Sequence, residues 1–133
     1  MARARFRKRR KFIADLRKFR DNTEQEHIVL LRKIALQLLT LIVQKNPVDT
    51  GRSRGNWQVA VDTGAGDATV DGMGSVGAVT AAALSELSKI KFGSTVILYN
   101  NVEYIVRLEK GSSKQAPRGM VAISLQEVVS QFR

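Results

Sequence analysis

Residue types that commonly perform catalytic or metal chemistry are few in this chain. His27 is the only histidine, and it lies in a stretch whose apolar spacing predicts a helix. The absence of cysteine excludes disulfides, thiolate zinc sites and cysteine nucleophiles. The acids are scattered, and no spacing places three metal ligands together. We therefore expect no catalytic residue, cofactor or metal, and the chain is not expected to be an enzyme.

Three short patterns match nucleotide-binding signatures only in part. Asp49-Thr50-Gly51 is not preceded by the Gly-rich loop with Lys and Ser or Thr that holds phosphates. The glycine pairs of 64–66 and 72–74 lack the helix start and the downstream acid of a dinucleotide fingerprint. We interpret these glycines as parts of a flexible loop.

Positive charge is concentrated at the start of the chain. Residues 1–20 hold ten of the 22 Lys and Arg and one of the 12 Asp and Glu, so that 21–133 carry a net charge of only +1 out of +10. A flexible basic arm over 1–11 would neutralise phosphates through counterion release without reading bases. The alternatives are a solvated tail and an arm that docks on an acidic neighbour in an assembly. Its seven basic residues are Arg3, Arg5, Arg7, Lys8, Arg9, Arg10 and Lys11.

The length of 133 residues fits one domain. We divide the chain into a basic arm with the start of the first helix over 1–20 and a single α+β domain over 21–133. Charged residues from Asp15 to Arg20 interrupt any signal peptide, and no apolar run reaches the roughly 18 residues of a membrane helix. We expect no membrane contact.

Apolar spacing predicts two helical stretches near the start. Phe12, Ile13, Leu16 and Phe19 form a stripe, so a helix is expected to begin near residue 10. A Thr-x-x-Glu capping box at 23–26 predicts a fresh start for a helix over 24–45 that ends at Asn46-Pro47. The apolar face of this second helix is wide enough for two partners, namely its own sheet and either another helix or another subunit.

The remaining pattern alternates between short elements. It predicts a fold of the α+β class, in which a long N-terminal helix and a C-terminal helix pack on a small, mostly antiparallel sheet. Met120, Ile123, Val128 or Val129, and Phe132 are expected to face inward. The predicted elements are a loop at 46–55, a strand at 57–61, a loop or loose hairpin at 62–77, a helix at 78–90, a buried strand at 95–99, a strand or helical turn at 104–110 and a helix at 120–132.

One unusual segment is 46–57, with the sequence NPVDTGRSRGNW. Asp49 and Thr50 can accept bonds from local backbone N–H groups, and Gly51 permits a positive φ, so a rigid turn is expected. Arg52 and Arg54 would stand exposed on this turn, suited to the carboxylates of a partner. Trp57, at the start of a strand, is either a core or an interface residue.

A second unusual segment is 104–121, with the sequence YIVRLEKGSSKQAPRGMV. Glu109, Lys110 and Gly111 make a charged turn, which a polar stretch extends to Gln115. Pro117 fixes the exit, and Gly119 frees the start of the next helix. The segment is either a plain connector or a docking loop.

These two segments resemble a family of bacteriophage proteins. Members of that family have a helix that ends in Pro-Val-Asp-Thr-Gly-Arg, as at 47–52, before a strand that contains Trp or Ser. They later have Asn-x-x-x-Tyr, Leu-Glu-x-Gly and Ser-x-Gln-Ala-Pro-x-Gly-Met-Val, matched at 100–104, 108–111 and 113–121. The family is that of neck, or tail-completion and head–tail joining, minor tail proteins of tailed phages.

The resemblance implies a structural virion protein, assembled in the host bacterial cytoplasm, that forms a sixfold or twelvefold ring. Its partners would be head connector or adaptor proteins and tail tube or tail terminator proteins. Arg52 and Arg54 of one copy would then pair with Glu103 or Glu109 of the next. The alternative is a small basic DNA-binding protein that acts through its arm. The residues expected to dock are Asp49, Thr50, Gly51, Arg52, Arg54, Trp57, Tyr104, Glu109, Gly111, Ser113, Gln115, Ala116, Pro117, Gly119 and Met120.

Overall fold

The fold is dominated by one long helix. In a computed structural model that describes residues 2–48, 51–70 and 75–131, α1 runs without interruption over Ala2–Lys45. At about 1.5 Å per residue its 44 residues span roughly 66 Å. Two expectations were therefore wrong: the backbone is already helical across the segment predicted to be a flexible arm, and no second helix starts at 23. The Thr23 hydroxyl donates to the Phe19 carbonyl at 2.9 Å, a bond within the helix instead of a cap.

In the described part of the chain, six short elements follow α1. The predicted strand at 57–61 and the helices at 78–90 and 120–132 are confirmed to within a few residues. The segment at 104–110 is a helical turn, and a second turn, α2, lies within the region predicted to be a loop. The elements are α2 (Arg52–Gly55), β1 (Gln58–Val61), α3 (Val76–Leu87), β2 (Val96–Tyr99), α4 (Ile105–Glu109) and α5 (Val121–Gln131).

Strands β1 and β2 form a two-stranded antiparallel sheet. Gln58 pairs with Tyr99 and Val61 with Val96. Strand β1 is largely buried, whereas every residue of β2 is half-exposed, so the prediction of a buried second strand was wrong. Each strand of a two-stranded sheet has an open edge, and β1 is the more buried one because α3 packs on it. The predicted α+β class, with a long N-terminal helix, a C-terminal helix and a small antiparallel sheet, is confirmed.

The core lies between the second half of α1, the sheet and α3. Leu39, Ile42 and Val43 are fully buried on one face of α1, and they pack with the inward residues of β1 and α3. Trp57 is also buried there, which answers the core-or-interface question within this chain. In α5, Val128 is buried and Val129 is exposed, while Phe132 lies outside the described residues.

Candidate docking surface

The two unusual segments lie side by side, although they are distant in sequence. The Gln115 side chain accepts a bond from the Val48 N–H at 2.9 Å and donates to the Val48 carbonyl at 3.3 Å. The Asn100 amide donates to the Ser53 carbonyl at 2.7 Å. A side-chain amide that satisfies both backbone groups of one residue replaces a strand partner. The turn after α1 and the loop before α5 therefore form one surface, here called the motif surface (residues 46–57 and 100–121).

Asn46 organises the first of these segments from within. Its amide oxygen accepts from the Trp57 indole N–H at 2.8 Å, and its amide nitrogen donates to Ser53 Oγ at 2.8 Å and to the Pro47 carbonyl at 2.9 Å. All three bonds are buried, where an unmatched polar group costs more than at the surface. Asn46 therefore fixes the end of α1 relative to α2 and the start of β1.

Arg52 was expected to pair with Glu103 or Glu109 of a neighbouring copy. In this structure it pairs with Glu103 of its own chain. Its guanidinium makes a two-pronged ion pair with Glu103, at 2.7 and 3.0 Å. It also lies over the Tyr104 ring, 5.9 Å from the centroid. The Arg52 hydrogen bonds hold the pKa of Glu103 at about 2, below its usual 4.5. This pair braces the motif surface within one chain, and a pairing between subunits stays a prediction.

Arg54 is half-buried, which corrects the expectation that it stands exposed. Its guanidinium donates to the Gln44 carbonyl at 3.1 Å and to the Asn46 carbonyl at 3.4 Å. A cation at this place satisfies carbonyl groups that the last turn of a helix leaves open. Arg54 therefore caps α1.

Glu109 has the corresponding role at the start of α5. Its Oε1 accepts from the N–H groups of Met120 and Val121 at 2.8 Å each, and its Oε2 accepts from that of Ala122 at 3.1 Å. These are backbone donors that a helix start leaves without partners, and a negative charge there also favours the helix dipole. Glu109 is thus a remote cap, eleven residues before the helix it stabilises, and not an acid held out for a neighbour.

The two glycines of this loop are required by close backbone approaches. A Cβ on Gly111 would lie 2.3 Å from the Pro117 carbonyl oxygen, and one on Gly119 would lie 2.2 Å from the Glu109 carbonyl oxygen. Both glycines also have positive φ, at 90° and 77°. No residue with a side chain fits these positions without a shift of the backbone. The glycines of the motif thus serve the shape of the loop.

The residues predicted to dock divide into buried and accessible ones. Gly51, Trp57, Ala116, Gly119 and Met120 are buried, and two of them, Ala116 and Gly119, line an open cleft beside Gln115. Arg52, Tyr104, Glu109, Gly111 and Ser113 are half-buried, and Gln115 and Pro117 are exposed. Asp49 and Thr50 lie outside the described residues, as do the side chains of Arg3, Arg5, Arg7, Lys8 and Arg9.

Sequence reasoning did not single out the basic rim of this surface. Arg107, Lys110, Lys114 and Arg118 are all exposed. One of them, Arg118, lines the same open cleft, of about 320 Å³, together with Gln115 and Pro117. The rim residues' intervals of three, four and four residues would suit one helix face, but α4 ends at Glu109, so this spacing does not reveal the rim. The rim is suited to acidic groups on a partner.

Among the described residues there is neither a metal-binding cluster nor a membrane-spanning helix. Over 2–48, 51–70 and 75–131, no three acidic or histidine side chains are placed to hold a metal ion. Within the same ranges, no helix is both long and apolar enough to cross a membrane. His27 lies against Phe92, with 5.5 Å between ring centroids.

Comparison with known proteins gives no relative. No family model, no curated protein and no solved structure matches this chain. Its function therefore has to be argued from the motifs and from the surfaces described above.

Proposed function

We propose that this chain is a structural virion protein of the neck of a tailed bacteriophage, where copies form a ring that completes or joins the tail. The observation that carries the proposal is the meeting of the two motif segments. Residues 46–57 and 100–121 resemble the neck family in separate stretches of sequence, and hydrogen bonds join them into one surface. Motifs that serve one purpose are expected to lie together in the fold.

The motif surface is built as a rigid platform, which suits a protein that acts by placement. Its internal polar groups are engaged by Asn46, Arg54 and Glu109, while its basic rim stays exposed. A surface that is already ordered loses little conformational entropy on binding. In this proposal, the rim meets acidic groups on a head connector, on the tail end or on the next copy in the ring.

The test of the proposed function is deletion of the gene from the phage that carries it, with particles imaged by negative-stain electron microscopy. Filled heads and finished tails that fail to join, or heads that leak DNA, are the expected result. Normal infectious particles would remove the structural role.

Complementation then tests the motif surface. We expect Lys114→Glu with Arg118→Glu to prevent rescue of the deletion while circular dichroism stays unchanged, because both side chains are exposed. Lys89→Glu reverses the charge of an exposed lysine just after α3, outside the motif surface; it is the control and should rescue. Full rescue by the double variant would exclude the rim from docking.

A second candidate function is DNA binding through the start of α1. It is favoured by the net charge of +9 over residues 1–20, now placed on a helix that projects from the body. Affinity for DNA should then fall steeply as salt rises and vanish when residues 1–11 are removed. Affinity that does not change with salt would rule out this candidate.

A further inference from the structure

The first half of α1 carries an apolar stripe that nothing in the described part of the chain covers. All residues from Arg10 to Asn22 are exposed, and the contacts of α1 with other elements lie further along, as at His27 and Arg32. Phe12, Leu16 and Phe19 are 63%, 52% and 72% exposed. Large aromatic and aliphatic side chains are seldom grouped in this way on a surface that stays in water.

This stripe is not the exposed margin of the core-facing side. With about 100° of rotation per residue, Phe12, Leu16 and Phe19 lie roughly on the opposite side of the helix axis from Leu39 and its buried neighbours. The outer stripe (Phe12, Leu16 and Phe19) is therefore a second apolar face of α1, used by neither the sheet nor α3.

The spacing of the outer stripe indicates that its partner is a helix. Its members follow each other at intervals of four and three residues, and Thr23 adds a further interval of four. Alternating steps of three and four place residues along the seam of a coiled coil, where each side chain enters a gap on a facing helix. A seam of this kind needs a second helix of similar length beside it.

The charge pattern of α1 indicates that the partner helix is a second copy of α1 and that the two helices run antiparallel. Residues 8–11 are Lys-Arg-Arg-Lys, whereas 21–26 hold three acids and no base. Two parallel copies of α1 would place the basic stretches side by side, which like charges oppose. Two antiparallel copies, crossing between Arg17 and Lys18, would instead place each basic stretch beside the acidic stretch of the other.

The same crossing also aligns the apolar residues. In an antiparallel pair centred there, Leu16 of one copy faces Phe19 of the other, and Phe12 faces Thr23. Lys11 then lies beside Glu24 of the second copy. We propose that two copies of this chain pair antiparallel through the outer stripes of their α1 helices, with residues 9–11 of each against 24–26 of the other.

This contact is independent of the neck proposal, because it rests on α1 alone. An antiparallel pair is a twofold, self-complementary contact, whereas a ring is closed by head-to-tail contacts. The deletion experiment and the experiments below can therefore fail separately.

Cross-linking tests the direction of the pair, since the natural chain contains no cysteine. The full-length Phe12→Cys and Thr23→Cys proteins are mixed and oxidised. A disulfide needs Cα atoms within about 7 Å, so the antiparallel pair should give mainly the mixed 12–23 product. Phe12→Cys protein that cross-links chiefly to itself would indicate a parallel pair and overturn the proposal. Ala14→Cys, on the core-facing side, is the control and should give neither product.

Sedimentation of the full-length protein tests the pair itself. We expect association whose dissociation constant rises at least tenfold in the triple variant Phe12→Ala, Leu16→Ala and Phe19→Ala. Alanine favours helix, so the helix itself is kept. The control, Arg17→Ala with Lys18→Ala, changes residues away from the seam and should leave association unchanged.

Two results would overturn the proposal. One is association that the triple variant leaves unaltered. The other is a wild-type protein that stays monomeric but binds vesicles of anionic phospholipid through the same three residues. The second result would assign the outer stripe to a lipid surface instead of a second copy.

Discussion

The motif surface and the first half of α1, here called the projecting half, differ in whether their side chains find partners within the chain. In the motif surface, polar groups far apart in sequence are matched within the chain, as when Gln115 binds Val48 and Glu109 caps α5. In the projecting half, apolar groups close together in sequence have no cover among the described residues. The first region should therefore depend on its internal contacts for stability. The second should contribute little to the stability of one copy and much to contacts between molecules.

The largest effect is expected from Gly119→Ala. The new Cβ would meet the Glu109 carbonyl oxygen at 2.2 Å and require a positive φ, so a loss of about 3 kcal/mol or more in the free energy of unfolding is expected. Denaturation by urea measures it. Gly93→Ala separates the two causes, because Gly93 has φ 84° and open space around its Cβ position; it should cost only about 1 kcal/mol.

Asn46→Ala should have the next largest effect. It leaves the Trp57 indole N–H buried without its acceptor, and a loss of about 2 to 3 kcal/mol in unfolding free energy follows. The fluorescence of Trp57, the only tryptophan, reports the change directly. Asn101→Ala removes two exposed bonds instead and should cost less than about 1 kcal/mol. Equal losses in the two variants would contradict a special role for the buried asparagine.

Glu109→Gln tests the remote cap. Three N–H groups at the start of α5 lose a charged acceptor, which should lower the unfolding free energy by about 1 to 2 kcal/mol. Glu86→Gln, which only breaks the exposed pair with Lys89, should cost a few tenths of a kcal/mol at most. Urea midpoints of the two variants should differ if the capping bonds of Glu109 stabilise α5. Equal midpoints would mean that only the loss of a negative charge is measured.

A smaller effect on stability is expected when the pH is lowered enough to protonate Glu103 in its ion pair with Arg52. The pKa of Glu103 is lowered in the folded chain to about 2 from 4.5, so the folded state favours the ionised carboxylate. The pair's contribution to stability is therefore present above pH 4.5 and is lost as the pH falls towards 2. The stability difference between wild type and Glu103→Gln should shrink over this window. A constant difference would mean that the ion pair does not act on stability.

The smallest effect on one copy should come from the outer stripe. Phe19→Ala removes a side chain that is 72% exposed, so at a concentration low enough for single copies the unfolding free energy should change by less than about 0.5 kcal/mol. Leu39→Ala, in the buried face of the same helix, should cost about 2 to 5 kcal/mol. A similar loss in both would show that the projecting half is part of the folded body.

Sequence reasoning predicted the elements that depend on local signals. Pro47 marks the end of α1, alternation marks β1, and alanine-rich spacing marks α3, and each was found close to its predicted place. Thr23 misled the prediction, because its hydroxyl can cap a helix or bond within one. Only the continuity of α1 decides between these two.

The roles of the motif residues were harder to predict, because their partners are distant. Arg52 and Glu103 are 51 positions apart, and Val48 and Gln115 are 67 apart. No periodicity records such pairs. Because Arg52 and Glu109 are charged and lie in predicted turns, they were expected to contact a neighbouring copy. Both instead make hydrogen bonds within their own chain. The docking role itself stays a prediction, now focused on the exposed rim.

The continuity of α1 has a mechanical consequence. One uninterrupted helix forms both the projecting half and the centre of the core, and it ends at Asn46, next to the motif surface. A partner that binds the first turns of α1 therefore contacts one end of a stiff helix whose other end is packed in the folded body. Whatever orients the tip of this helix also sets the direction in which the motif surface faces.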